Sequence, residues 1–149
     1  MNAAVTHLPI EQTGGLPALL GFEWSEVGPR VARGQFDVRP HHLAPTGYLH
    51  AATVVALADS ACGFGCLAAL PCGASGFTTV ELKTNFLGTA RAGRVTCEAQ
   101  MAHAGRTTQV WDAIVTSEST GKTIALFRCT QMLLYPKAPV SAQGDGESP

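Results

Sequence analysis

Apolar and polar residues alternate through most of the second half of the chain, and a period of two is the signature of strands with one buried face. In FTTVELKTNFL (77–87), Val80, Leu82 and Phe86 fall on one side, and Thr79, Glu81, Lys83 and Asn85 on the other. In RVTCEAQMAH (94–103), Val95, Cys97, Ala99 and Met101 alternate with Arg94, Thr96, Glu98 and Gln100. TTQVWDAIVTSE (107–118) and KTIALFRCTQMLLY (122–135) complete a set of four long strands, with turns at Ala104-Gly105-Arg106 and Ser119-Thr120-Gly121. Short Gly-containing turns between such strands predict a consecutive antiparallel meander. Earlier in the chain, a helical turn at 16–20 leads into a strand near 22–27. Gly28-Pro29 then turns the chain into a hairpin partner over 30–38, with Ala32, Phe36 and Val38 on one side and Arg33, Gln35 and Asp37 on the other.

The pattern changes between residues 51 and 70. Val54, Val55, Leu57, Ala58, Ala61, Phe64 and Leu67 leave no polar face, and Pro71 with Gly73 beyond it supplies a stop. A helix that is apolar all round is normally surrounded by protein. One such helix among long strands predicts an α+β architecture, with a long curved antiparallel sheet wrapped around a central helix. Residues 1–14 read as a flexible N-terminal segment and 15–135 as one domain. The tail 136–149, PKAPVSAQGDGESP, has the Pro, Gly and Ser content of a disordered end.

Composition narrows the function class. With 149 residues, 46% apolar and 14% charged, the chain describes one soluble domain with an ample core. A net charge of −1 argues against nucleic acid or an anionic membrane as partner, while leaving room for a local pocket that grips one phosphate. The N-terminal stretch MNAAVTHLPIEQTGG lacks the basic start and apolar run of a secretory signal. The helical run, interrupted by Asp59, Gly63 and Gly65, is a poor membrane-spanning segment. A cytoplasmic location is expected. Cys62, Cys66, Cys72, Cys97 and Cys129 form an odd set without CxxC spacing, so they read as reduced core thiols rather than a metal site. No phosphate-binding loop or dinucleotide fingerprint is present, and no cofactor is expected.

The candidate chemistry lies in HHLAPTGYLHAATVVALADSACGFG (41–65), whose single acidic residue is Asp59. Its helical neighbours Val55, Ala56, Cys62 and Gly63 are apolar or small. Burying a carboxylate there costs on the order of several kcal/mol unless it is paired or protonated. Asp59 is therefore either chemically active or a structural acid that caps a loop or pairs with an arginine. The helix begins near Ala51, where the first N–H groups are unpaired and carry the positive end of the macrodipole. Ala51 and Ala52 let a ligand approach that backbone, which suits a carbonyl oxygen acquiring negative charge. His50 is a candidate cap, core residue or participant. At 1.5 Å per residue, Asp59 lies on the order of 12 Å from the helix start. One subunit cannot easily bring both to the same small group; a two-fold partner with an antiparallel helix can.

Three blocks taken together, HLAPTGYLHAATVVALADSACG, TTVELKTNFLGTARAG and AGRTTQVWDAIVTSESTGKTIA, resemble the hotdog-fold thioesterases of the PaaI type. That group includes one class of 4-hydroxybenzoyl-CoA thioesterases. The resemblance spans residues 15–135 and implies an acyl-CoA thioesterase of hotdog fold. It also implies coenzyme A as part of the substrate, and a homo-oligomer built as a dimer of dimers. By the same resemblance, Asp59 is the catalytic carboxylate, acting as general base or nucleophile. Ala51 stands for the small residue, commonly Gly, whose N–H polarises the thioester carbonyl, and His50 shapes the substrate loop. Gly47, Tyr48, Phe64 and Thr79 are candidates for the substrate pocket; Tyr48, Leu49, Phe64 and Phe77 suit an aryl or a medium-chain acyl group equally. Arg106 and Thr107 fall where relatives touch the nucleotide end of coenzyme A, with Arg91 and Arg94 as weaker candidates. Two positions depart from the family pattern. The usual His-Gly-Gly is His-Ala-Ala, and the Asn or Gln six residues before the His is Ala44. Losing a donor at a developing oxyanion costs on the order of a few kcal/mol, and His41 and His42 are the side chains at hand to replace it. Two other readings stay open: a non-catalytic acyl-CoA binder or sensor, which Ala44 favours, and a hydroxyacyl-thioester dehydratase.

Overall fold

The computed structural model describes residues 14–139. Residues 1–13 of the flexible segment expected over 1–14, and residues 140–149 of the tail expected over 136–149, therefore lie outside the described residues. A short helix α1 (Gly15–Leu19) precedes the hairpin β1 (Glu23–Val27) and β2 (Val31–Asp37). The long helix α2 (Ala51–Ala68) follows, and then β3 (Gly76–Phe86), β4 (Arg94–Ala104), β5 (Thr108–Ser117) and β6 (Thr123–Leu134). All six strands join one antiparallel sheet, and α2 lies against every one of them. This is the α+β arrangement that the alternation and the single apolar helix predict.

The strand order is β1-β2-β4-β5-β6-β3, which corrects the expected meander. Strands β4, β5 and β6 do follow one another, but β3 pairs with β6 at the far edge and β2 takes its place beside β4. A tight hairpin needs a two-to-five-residue turn, and the segment after Phe86 is longer than that. It is also pinned elsewhere. Leu49 N–H donates to Ala90 O (3.1 Å) and Val38 N–H to Gly93 O (2.9 Å), so this connection runs past the start of α2 instead of turning back.

The faces of β3 also differ from the simple alternation. The register with β6 slips between Thr79 and Glu81, and Val80 is the extra residue of a bulge. One inserted residue exchanges the two faces of a strand. Thr79 therefore points to the helix side, opposite the buried Gln131, and shares that side with Leu82 and Phe86. These last two lie beyond the cover of α2, with exposures of 43% and 47%, and do not belong to the core of this subunit.

The core is built on α2 and on the inward residues of β2 and β4–β6, among them Phe36, Val95, Trp111, Val115 and Phe127. Gly65 lets α2 rest directly on the indole of Trp111. Gln109 holds that arrangement in place: its Oε1 accepts from Trp111 Nε1 (2.8 Å), and its Nε2 donates to Ala69 O at the end of the helix (3.0 Å). Four of the cysteines are core thiols as expected, but Cys72, just beyond the helix, is exposed. The helix is not covered all round. Ala52, Val55, Ala56, Asp59 and Ser60 remain exposed or half-buried, and their spacing puts them on one side.

Candidate active site

The loop before α2 folds as a small hairpin, and glycine makes it possible. Leu43 and Leu49 form a β-bridge, Ala44 N–H donates to Tyr48 O (2.7 Å), and Gly47 N–H donates to Ala44 O (2.8 Å). Gly47 has φ +82, a left-handed conformation that costs a side-chain-bearing residue about 1 kcal/mol or more. Gly47 thus shapes the turn that presents Tyr48, whose exposed ring carries the Arg91 guanidinium 4.1 Å from its centroid. Arg91 and Tyr48, both candidates from the sequence, are brought together beside the helix start.

His42 anchors this loop to the body of the domain. It is 1% exposed; its Nδ1 accepts from Arg39 N–H (2.9 Å) and its Nε2 donates to Leu20 O (2.7 Å). Its own carbonyl accepts from His50 N–H (2.9 Å) and from Thr53 Oγ1 (3.0 Å), fixing where α2 begins. Burial pushes its pKa below the ordinary histidine value, and the nearby His41 and Arg39 push the same way, although the Leu20 bond opposes them. With both ring nitrogens committed, His42 cannot stand in for the amide missing at Ala44. His41, its exposed neighbour, packs against the His42 ring at a tilt, with ring centroids 4.2 Å apart.

His50 is the N-cap of α2. Its Nδ1 accepts from Ala52 N–H (2.9 Å), and its carbonyl accepts from Thr53 N–H (3.0 Å) and Val54 N–H (3.4 Å). Val54 N–H makes the first intrahelical bond, and with His50 N–H donating to His42 O, three of the four amides that a helix start leaves unpaired, those of His50, Ala52 and Thr53, are satisfied. The fourth is that of Ala51, which is exposed and has no acceptor among the described residues. The cap leaves one backbone donor open, at the positive end of an 18-residue helix.

Two turns along the same open side lies Asp59. Its carboxyl is half-buried, and burial raises its pKa above the ordinary aspartate value; a contact with the Thr79 hydroxyl, Oγ1 to Oδ1 at 3.5 Å, works in the opposite direction. Among the described residues no basic side chain pairs with it, so the alternative of a structural acid paired with an arginine does not hold there. A carboxylate in this setting is a stronger proton acceptor than a free aspartate.

The remaining candidates separate. Arg106 and Thr107 form the exposed turn between β4 and β5, at the end of the sheet where β6 finishes and β3 begins. Tyr135 Oη donates to Arg106 O, and Leu133 N–H donates to Thr107 O (2.8 Å), so the backbone is held while the side chains face outward. Phe64, a candidate for the pocket, is instead buried edge-on against Trp24 at 4.8 Å and serves the core. Arg94 is paired with Asp37 (3.0 Å) on the outer side of the sheet and is not free for phosphate. A buried polar residue next to the Asp59 contact was missed. Gln131 lies behind Thr79, and its position in KTIALFRCTQMLLY on the same phase as Phe127, Cys129 and Leu133 was the available signal.

The family model of the thioesterase superfamily matches residues 46–124, which include the second half of the loop hairpin, α2, β3, β4 and β5. A 1,4-dihydroxy-2-naphthoyl-CoA hydrolase of Listeria monocytogenes is 34% identical over 116 residues, covering 78% of this chain and 93% of its own. A substituted thioesterase of Pseudomonas aeruginosa superposes with a TM-score of 0.81 at 26% identity, over 91% of this chain and 97% of that one. The PaaI protein of the Escherichia coli phenylacetic acid degradation operon shares the fold, with a TM-score of 0.71 at 24% identity over 79% of this chain and 83% of that one. The sheet-and-helix architecture and the family match agree along the stretch that carries the open amide and the half-buried acid: the chain belongs to the thioesterase superfamily and is a thioester hydrolase of hotdog fold.

Proposed function

We propose that the protein hydrolyses acyl-CoA thioesters at a site shared by two subunits, with Ala51 of one protomer facing Asp59 of its partner. The observation that carries this reading is the open side of α2. It begins at a backbone N–H left without an acceptor and runs to a carboxylate that burial has made more basic. The two groups are too far apart along one helix to act on one carbonyl, and a two-fold axis across this side solves that geometry. The thioester oxygen accepts from Ala51 N–H, which stabilises the charge that develops there. Asp59 then takes a proton from water as the water oxygen bonds to the carbonyl carbon. Collapse of the intermediate breaks the C–S bond, and the coenzyme A sulfur leaves with the proton. In the alternative route Asp59 attacks directly, giving a mixed anhydride that water then opens.

His50 orients the amide by capping its neighbours, and the Gly47 turn carries Tyr48, with Arg91 over its ring, close to the helix start. Arg106 and Thr107 serve the phosphates of coenzyme A. Pairing of two such dimers into a tetramer completes the proposed assembly. The substrate of the Listeria relative is an aryl-CoA, which puts aryl-CoA first among the acyl classes to try.

A thiol-release assay across aryl-, short-, medium- and long-chain acyl-CoAs, with Asp59→Asn and Asp59→Ala, tests the proposal. Both variants lose on the order of 10²- to 10⁴-fold in kcat, the usual worth of a positioned base, while remaining folded and assembled. Hydrolysis near the wild-type rate in either would remove Asp59 from the mechanism. An enoyl-CoA in the same panel addresses the dehydratase reading: it should show no hydration.

A further inference from the structure

Gln131 is 0% exposed in β6, on the side of that strand otherwise filled by Ala125, Phe127, Cys129 and Leu133. A buried amide is tolerated only when its polar atoms find partners. Here Oε1 lies 2.8 Å from Thr79 Oγ1, and Nε2 donates to Cys129 Sγ at 3.3 Å. The same Thr79 oxygen lies 3.5 Å from Asp59 Oδ1. A hydroxyl has one proton, so Thr79 cannot donate to Gln131 and to Asp59 together.

We propose that Gln131 is a positioning residue for Asp59, acting through Thr79, and that its buried amide decides which oxygen receives the hydroxyl proton. This rests on the reading of Asp59 as the working carboxylate. Two arrangements satisfy the chain of groups. With Asp59 protonated, its O–H donates to Thr79 Oγ1, Thr79 donates to Gln131 Oε1, and Gln131 Nε2 donates to Cys129 Sγ. With Asp59 ionised, a half-turn of the amide exchanges its oxygen and nitrogen. Cys129 S–H then donates to Gln131 Oε1, Gln131 Nε2 donates to Thr79 Oγ1, and the hydroxyl donates to the carboxylate. No proton moves along the chain; only its direction reverses. Asp59 therefore keeps a hydrogen-bond partner both before and after it takes a proton from water. A fixed donor would serve only the ionised form and a fixed acceptor only the acid.

The titratable groups around the carboxylate are few. Cys62, less than one helical turn further along α2, touches Cys129 of β6; that contact and burial push its thiol well up, so it stays neutral. Burial and the Thr79 contact are the influences on Asp59 itself, and neither brings a charged side chain.

The test is the pH dependence of kcat/KM, on an acyl-CoA that the wild type hydrolyses, for Gln131→Met, Gln131→Glu, Thr79→Val and the Thr79→Val/Gln131→Met double variant. Gln131→Met keeps the length but not the hydrogen bonds. It should lower kcat about tenfold with KM within about twofold, and displace the acid limb by roughly half a pH unit, since Thr79 is then left without the partner that sets its direction. Gln131→Glu accepts the hydroxyl proton and adds negative charge, so the limb should rise, on the order of one unit. In Thr79→Val the limb should rise too, and adding Gln131→Met should move it no further, because the connection passes through the missing hydroxyl. A merely structural amide would lower the melting temperature without moving the limb, or would act equally with and without Thr79; either result overturns the proposal. An unmoved limb in Thr79→Val overturns it too, which keeps the test decisive even where a Gln131 variant does not fold. The two readings fail separately. An active Asp59→Asn sinks the role of Asp59, whereas an inactive Asp59→Asn with unmoved limbs in the Gln131 variants sinks only the role of Gln131.

Discussion

Replacing Gly65 with alanine sets two effects of known size against each other. In a helix interior, alanine is favoured over glycine by about 1 kcal/mol. At this position the added Cβ would stand 2.4 Å from Trp111 Cη2 and 2.6 Å from Cζ3, where carbon atoms rest at about 3.5–4.0 Å. The shortfall exceeds one ångström, and the ring has no easy way to yield. Trp111 is 0% exposed, and its Nε1 donates to Gln109 Oε1 at 2.8 Å. Gln109 in turn holds Ala69 O at 3.0 Å, so moving the indole loosens the end of the same helix. Overpacking of this kind costs about 1–3 kcal/mol, and so tight a site belongs at the upper end. The net result is a loss of about 2 kcal/mol, or roughly 6 °C in Tm for a chain of this length.

Gly63→Ala is the control. There the Cβ would meet Phe77 Cζ at 2.9 Å, but that ring is only half-buried and its edge can swing aside. The helix-propensity gain should leave Tm within about 2 °C of the wild type. Thermal unfolding of both variants and of Gly65→Ala/Trp111→Phe checks the argument, since the smaller ring should recover more than about 1 kcal/mol of the clash in a double-mutant cycle. A Gly65→Ala protein as stable as the wild type, or a Gly63→Ala protein that loses as much, would refute the claim that helix-to-indole contact sets the height of α2. In the proposed mechanism that height bears on activity as well, because α2 carries both the Ala51 amide and Asp59.

Two further outcomes follow from titration. The folded-state pKa of Asp59 lies above the ordinary 3.8, so any stability it lends is present at acid pH and lost as pH rises through the folded value. Asp59→Asn should therefore melt higher than the wild type near pH 7 while being inactive, with the difference vanishing below pH 3.8; equal melting curves at both pH values would contradict the burial argument. His42 shifts the other way: its folded value lies below 6.5, so the unfolded chain takes up its proton first. Stability should be complete above pH 6.5 and fall as pH drops below it, and His42→Gln, already less stable at pH 8, should lack that step in Tm against pH.

Alternation revealed β4, β5 and β6 because one face of each packs on α2, so burial and sequence period coincide there. It misread β3 because a single extra residue, Val80, reverses the phase while leaving the alternation intact to the eye. Strand order was out of reach for a different reason. It is fixed by the bonds of Leu49 and Val38 to Ala90 and Gly93, contacts between distant parts of the chain that no local pattern carries. Asp59 stood out as a lone charge in an apolar run. Gln131 did not, because glutamine on a strand reads as a surface residue until its phase is compared with Phe127 and Leu133. Phe64 was a candidate for the acyl pocket and Arg94 a weaker candidate for the phosphates, but packing against Trp24 and pairing with Asp37 give them other work.

The side of α2 that the sheet leaves open gives the shared-site reading its physical logic. The sequence makes this helix apolar all round, yet the subunit encloses it fully only over residues 61–66 and leaves one side of residues 51–60 uncovered. Ala52, Ala56 and Ser60 recur every four residues along the uncovered side, and side chains this small permit another helix to come close. A second copy packed there would remove water from Val55 and Ala56, and from Asp59 with them. The carboxyl would then be more basic in the assembly than in the lone subunit, since burial is already the main cause of its shift. It would also depend more heavily on Thr79, because each lost water removes a competing donor. Dissociating the assembly by dilution should accordingly abolish hydrolysis more steeply than it unfolds the chain, and activity that persisted in an isolated subunit would require Ala51 and Asp59 to act without each other.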